Sequence, residues 1–301
     1  MTAVLCVGIA AQDHVYGVES FPATAEKHRA HSVEIVGGGI AANAAVAIAR
    51  LGGRALLATR LGDDAVGDEI VATLEAENVD CRFARRFPGL KSSRSAVLVD
   101  RAGERMVINY ADPGTPDDPA WLPREWLSGV GAVLGDTRWE AGALRMFRLA
   151  RAAGAVALLD GDRAPADPAL FTAATHLVFA RQAARELTGS DDPARAIAAI
   201  AAPAGTVLAI TDGRRGTVLR RGGEVMRIPA FEVAAVDTLG AGDIFHGALA
   251  FALAAGMREP DAVRFASAAA AIKCLRFGGR EGAPTRREVE AFLAERSAGA
   301  A

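Results

Sequence analysis

Short apolar runs recur along the chain: AVLCVGI (3–9), RALLATRLG (54–62), VGAVLGD (130–136), GAVALLD (154–160), THLVFA (175–180) and TVLAIT (206–211). None alternates cleanly, which predicts strands buried on both faces, as in a parallel sheet. Between them lie alanine-rich segments with helical periodicity, AANAAVAIARLG, DEIVATLEAENV and ALRMFRLARAAG. Three more end the chain, around 243–256, 259–276 and 285–296. Strand and helix alternate, so a doubly wound α/β sheet is predicted.

One stretch departs from that rhythm. RSAVLVDRAGERMVINY, Arg94 to Tyr110, has a period near two on either side of Asp-Arg-Ala-Gly, which predicts a β-hairpin projecting as a small flap. The Pro- and Asp-rich DPGTPDDPAWLP reads as the surface connection out of it.

Composition narrows the class. With 301 residues, 51% of them hydrophobic, the chain can bury a large core. A net charge of −2 from 34 basic and 36 acidic residues, with no block of either sign, gives no reason to expect nucleic-acid or anionic-membrane binding. Cys6, Cys81 and Cys274 are far apart and outside any C-x-x-C spacing, which points to reduced thiols and a cytoplasmic address. The apolar start, MTAVLCVGIAAQDH, lacks a basic n-region and reads as a first core strand.

Candidate chemistry concentrates in VDTLGAGDIFHGALAFALAAG, Val236 to Gly256. Gly240 and Gly242 permit a tight turn and close backbone approach. The helix that follows offers unpaired N–H groups and the positive end of its dipole, which together make an anion site. Asp243 at that helix start has two readings, a helix cap or a carboxylate that accepts a substrate proton. Upstream, Gly37, Gly39 and Ala42 satisfy G-x-G-x-x-A, the dinucleotide fingerprint, but no strand-end acid follows about twenty residues on, so that pattern is weak. His28 and His31 lack the further ligands of a zinc site and read as surface residues. His246, one turn after Asp243, reads as a packing or supporting residue.

DTLGAGD with Phe245 and Gly247, together with VGGGIAANAAVAIARLGG (Val36 to Gly53) and LGDDAVG (Leu61 to Gly67), resembles the two signatures of the ribokinase-like (PfkB) family of carbohydrate kinases. The resemblance runs over essentially the whole chain. It implies a three-layer, mostly parallel α/β domain over 1–301 with a β-lid from segments near 10–35 and 91–111, and ATP-dependent phosphorylation of a sugar hydroxyl. Asp243 matches the catalytic base, and Gly240, Ala241 and Gly242 the anion hole. Asp13, Gly38, Gly39 and Asn43 match sugar-contacting positions. Thr211, Gly213 and Gly216, in ITDGRRGTV, match the nucleotide loop.

The resemblance also implies Mg2+ with the nucleotide, a K+ ion near Asp237, and a homodimer joined through the lid. One departure stands out: many members carry N-x-x-E where this chain has Ala180 and Ala183, so magnesium would be held largely by nucleotide oxygens and water. By the same resemblance Lys27, Asn109 and Arg138 are expected to hold an anionic group on the sugar, a sulfonate. The alternative within the kinases is a neutral ketose or a sugar phosphate; outside them it is a non-catalytic sugar or nucleotide sensor on the same fold.

Overall fold

The six apolar runs form the middle of one nine-stranded sheet. The computed structural model describes residues 2–122 and 124–298. Its strands are β1 (Ala3–Val7), β2 (Ala11–Gly17), β3 (Ser32–Gly38), β4 (Arg54–Gly62), β5 (Val79–Phe87), β6 (Ser93–Val99), β7 (Arg105–Tyr110), β8 (Ala132–Asp136), β9 (Val156–Gly161), β10 (His176–Ala180), β11 (Val207–Thr211), β12 (Thr217–Arg221) and β13 (Glu224–Ile228). Its α-helices are α1 (Ile40–Arg50), α2 (Ala65–Ala76), α3 (Glu140–Ala152), α4 (Ala169–Ala173), α5 (Arg181–Thr188), α6 (Pro193–Ala199), α7 (Ala241–Ala254), α8 (Glu259–Cys274) and α9 (Arg286–Ala298).

The large sheet runs β13-β12-β11-β10-β9-β8-β1-β4-β5 and is parallel from β11 to β5. In β1, Val4 and Cys6 enter the core under α1, α7 and α8, while Ala3, Leu5 and Val7 enter the core under α3 and α4. Both faces are therefore covered, which is why the run is continuously apolar.

Three large-sheet strands escape the apolar-run pattern. β5, VDCRFARRF, lies on one edge, where its arginines hide the strand signal and protect an open edge. On the other edge β12 and β13 form an antiparallel hairpin closed by Gly222-Gly223, since Arg221 pairs with Glu224.

A second sheet, β3-β2-β6-β7, forms the flap. The hairpin expected over 94–110 is β6–β7, and β2–β3 joins it through parallel β2–β6 pairing. Among the described residues no helix is long and apolar enough to cross a membrane.

Helices α1 and α7 pack closely because Gly247 has no side chain. A Cβ there would lie 2.5 Å from the Ala44 carbonyl oxygen, so the small residues of both helices bring their N-terminal turns together.

Candidate active site

That close packing sets Asn43 beside Asp243. Asn43 Nδ2 donates to Asp243 Oδ2 at 2.7 Å. Asn43 is buried, and its Oδ1 has no partner among the described residues. Gly240 caps α7 in the left-handed conformation, φ 73°, an arrangement glycine adopts freely. The Ala241 amide donates to the Thr238 carbonyl at 3.2 Å. The first-turn amides left for an anion are therefore those of Gly242 and Asp243, so Ala241 shapes the turn rather than supplying a donor.

Asp243 is half-buried, and its pKa is pushed up to about 7, first by burial and then by the nearby Asp160 charge. The Asn43 hydrogen bond and His246 oppose the rise. Ionisation of Asp243 thus falls in the range where a general base works near neutrality. His246 Nδ1 lies 2.8 Å from the Gly242 carbonyl and 2.9 Å from Asp160 Oδ2. Burial would lower its pKa, but Asp160 and the Gly242 carbonyl raise it overall. His246 therefore braces the first turn of α7 from beneath, as a supporting residue.

Asp136, buried at the end of β8, accepts from the Ile9 amide at 2.8 Å, the Ala41 amide at 3.2 Å and the Arg138 amide at 2.8 Å. Burial pushes its pKa up to about 6 against those hydrogen bonds. Sequence reasoning did not single it out, although a polar residue ending a core strand was a usable signal.

A cleft of about 880 Å³ opens between the lid and the ends of the parallel strands, and Asp13, Gly39, Asn43, Asn109, Arg138 and Asp243 all line it. Strand register aligns the lid's contribution. Asp13 pairs with Ser95, and Ser95 with Asn109, so the three share one face; Asn109 Nδ2 donates to Ser95 Oγ at 3.2 Å. Burial raises the Asp13 pKa, while Ser95 and Arg280 oppose the rise.

Gly39 has φ 93°, and a Cβ there would lie 2.6 Å from the Ile9 carbonyl oxygen. Gly38 has a different role from the one expected. It does not line the cleft, and a Cβ on it would lie 2.3 Å from Asp13 Oδ2, so it makes room for that carboxylate.

Arg138 is tethered: its guanidinium donates to Thr137 Oγ at 3.0 Å and to Asp162. Lys27 does not join it, because Lys27 stands exposed on the β2–β3 loop, outside the cleft. Three cations that sequence reasoning missed line the cleft instead: Arg60, Lys91 and Arg163. Arg60 follows the apolar part of a core strand and stacks on Trp139 with its Cζ 4.6 Å from the ring centroid. The lid also touches the turn that leads into α7, since Arg105 donates to Thr238 Oγ.

A second cavity, about 600 Å³, lies on the other side of that turn and is lined by Thr211, Gly213, Gly216, Ala241 and Gly242. Gly216 has φ 87°, and a Cβ there would lie 2.1 Å from the Ile228 carbonyl oxygen, so the loop requires glycine. Buried Asp212 holds the loop through Arg215, 2.8 Å away. Two cavities meeting at one turn whose first helical amides are free to meet an anion suit a reaction between a phosphate donor and an acceptor.

The family model described as pfkB family carbohydrate kinase matches residues 1–286. The chain belongs to that family. The kinase is 30% identical over 298 residues to a ribokinase of Bacillus subtilis, covering 97% of this chain and 100% of the relative. Its fold is similar to that of an Agrobacterium tumefaciens protein provisionally described as a ribokinase, with a TM-score of 0.91, 38% identity, and 98% and 99% of the two chains covered. It is also similar to an Arabidopsis thaliana ribokinase complexed with ribose and ATP, with a TM-score of 0.84, 25% identity, and 97% and 98% covered. The kinase is thus an ATP-dependent sugar phosphotransferase with a ribokinase-like fold.

Among the described residues no group of three or more His, Cys, Asp or Glu side chains could hold a metal ion. At the N-x-x-E position Ala180 ends β10 and Ala183 is buried in the core. A Mg2+ ion accompanying the nucleotide would accordingly be held by phosphate oxygens and water. The expected K+ near Asp237 does not fit, because Lys273 Nζ already donates to the Asp237 carbonyl oxygen at 2.9 Å and to its Oδ2 at 3.0 Å.

Proposed function

We propose that the kinase transfers the γ-phosphoryl group of ATP to the C1 hydroxyl of 6-deoxy-6-sulfofructose, giving the 1-phosphate in sulfoquinovose breakdown. The observation that carries this reading is the single cleft that Asp243, Asn109 and Arg138 all line. The sequence adds weight: KSSRSA (91–96), GERMVINY (103–110), LLDGD (158–162) and VRFASAAAAIKCLRFGGREG (263–282) resemble the corresponding stretches of bacterial sulfofructose kinase.

In the proposed mechanism Asp243 orients the C1 hydroxyl and takes its proton as the oxygen attacks phosphorus. The amides of Gly242 and Asp243 receive the charge on the transferring phosphoryl group. Asn43 holds the Asp243 carboxylate, and its free Oδ1 is an acceptor for a sugar hydroxyl. Asp13, on the lid face, accepts from others. Arg138 and Asn109 donate to the sulfonate, a permanent anion whose three oxygens suit a guanidinium and an amide. Fixing the sulfonate fixes the distance of the C1 hydroxyl from Asp243.

The second reading is a kinase for a sugar phosphate, favoured by the additional cations Arg60, Lys91 and Arg163 around the cleft. Specificity constants for sulfofructose, fructose and fructose 6-phosphate separate the two. A clear preference for sulfofructose is expected, and a preference for fructose 6-phosphate removes the assignment.

The kinase is further proposed to pair through its lid. By register, Val33, Ile35, Met106 and Ile108 share the lid face opposite Asp13 and Asn109. Val33, Ile35 and Ile108 are 58%, 55% and 62% exposed, more apolar surface than a single lid keeps in water without cause.

A further inference from the structure

Lys273 lies in the last turn of α8 with its side chain wholly buried, and the reaction as drawn makes no use of it. Its Nζ donates to the Asp237 carbonyl oxygen at 2.9 Å, to Asp237 Oδ2 at 3.0 Å and, at the limit of bonding distance, to the Arg276 carbonyl oxygen at 3.4 Å. An ammonium has three donors, and here it faces three oxygens.

The chain on both sides hangs on this hub. The amides of Val236 and Asp237 donate to the Cys274 carbonyl at 2.7 and 3.2 Å. Asp237 Oδ1 accepts from the Leu239 amide at 2.8 Å, and Oδ2 accepts from the Gly278 amide at 3.1 Å. One side leads directly into the Gly240–Asp243 turn. The other leads to Gly279, which lines the substrate cleft and lies against Gly240, where an added Cβ would be 3.6 Å from the Gly279 carbonyl carbon. Arg280 follows, its guanidinium filling the space a Cβ on Gly37 of the lid would need. The buried positive charge thus braces the anion-binding turn and the base of the lid together.

We infer that Lys273 is a built-in monovalent cation, a positioning residue that does internally what a bound K+ would do beside Asp237, and that the kinase needs no added monovalent cation. The oxygens such an ion requires are already taken, and a second positive charge would be placed beside a buried ammonium, an arrangement that is strongly unfavourable away from water. The inference rests on the family assignment and not on the choice of sugar.

The test begins with wild-type protein freed of K+ and NH4+. Turnover of MgATP is measured with whichever of sulfofructose, fructose and ribose it phosphorylates, in KCl, NH4Cl or tetramethylammonium chloride at equal ionic strength. Values of kcat agreeing within about twofold across the three salts are expected, and activation of about tenfold or more by K+ or NH4+ overturns the inference.

Lys273→Ala empties the ammonium's place. Its kcat is expected to fall about tenfold or more in tetramethylammonium and to recover in K+ or NH4+. The thermal midpoint of the ligand-free variant should rise with the same two ions. Lys273→Met, which fills the space without charge, should stay low in all three salts. A folded Lys273→Ala protein with near-normal turnover in tetramethylammonium, or with a loss neither ion recovers, overturns the inference. The wild-type comparison decides alone should the variant fail to fold. Failure of the sulfofructose assignment is read separately, from the specificity constants.

Discussion

Asn43 and Asp243 stand 200 residues apart in the chain and meet through a 2.7 Å hydrogen bond. One comes from the N-terminal signature and the other from the C-terminal signature, so the bond joins the sugar side of the cleft to the proposed base. Because the donor faces the ionised carboxylate, it holds the Asp243 pKa below where burial alone would put it.

Asn43→Ala should therefore move the acid limb of the pH profile of kcat/KM to higher pH and lower the plateau by about tenfold. In the wild type that limb should rise with pH through about 7, the value of the Asp243 carboxyl. A limb unchanged in the variant would separate Asn43 from the base.

Asp243→Asn should lower kcat by about 10²–10⁴-fold while ATP still binds, measured by calorimetry or nucleotide-dependent thermal shift. It should also alter stability in a pH-dependent way. A carboxyl whose folded pKa is raised contributes stability that is complete below its unfolded value of 3.8 and is lost as pH rises to about 7. Relative to wild type, the amide variant should gain stability across that window, by about 2 kcal/mol once solvent in the cleft is allowed for. Denaturant melts at the two ends of the window check this.

Arg138→Ala should reduce kcat/KM for sulfofructose by about 10–100-fold, the worth of charge-assisted hydrogen bonds, with the KM for ATP little changed. The loss should be smaller for fructose, which has no anionic group. Equal losses on both sugars would show that Arg138 acts through Asp162 and the cleft wall instead.

Gly39→Ala forces a side chain into a left-handed backbone and onto the Ile9 carbonyl. A loss of about 2–3 kcal/mol in denaturant melts is expected, with activity falling because the same turn carries Asn43 into place.

Ile35→Asp puts a charge in the apolar outer face of the lid. If lids pair, light scattering should find wild type as a dimer and this variant as a monomer. A monomeric wild type would remove the proposed pairing.

The sequence by itself determined the class of fold and the two ends of the site. Doubly covered strands must be apolar along their whole length, and in each signature a glycine, Gly39 in one and Gly247 in the other, sits where a side chain would run into a backbone carbonyl. Such signals are local, so AVLCVGI, VGGGIAAN and DTLGAGD carried them without help from the rest of the chain. Edge strand β5 stayed hidden because solvent permits arginines there.

What only the tertiary structure decided are the relations between distant segments. Close packing of α1 on α7 at Gly247 turned Asn43 toward Asp243. The lid register put Asp13, Ser95 and Asn109 on one face, while the β2–β3 loop carried Lys27 outside the cleft. Lys273, one polar residue in an alanine-rich helix, gave no sign in sequence that its ammonium would sit on Asp237. A charge is written in the sequence, but whether it meets water, substrate or a buried carboxylate depends on where the fold closes around it.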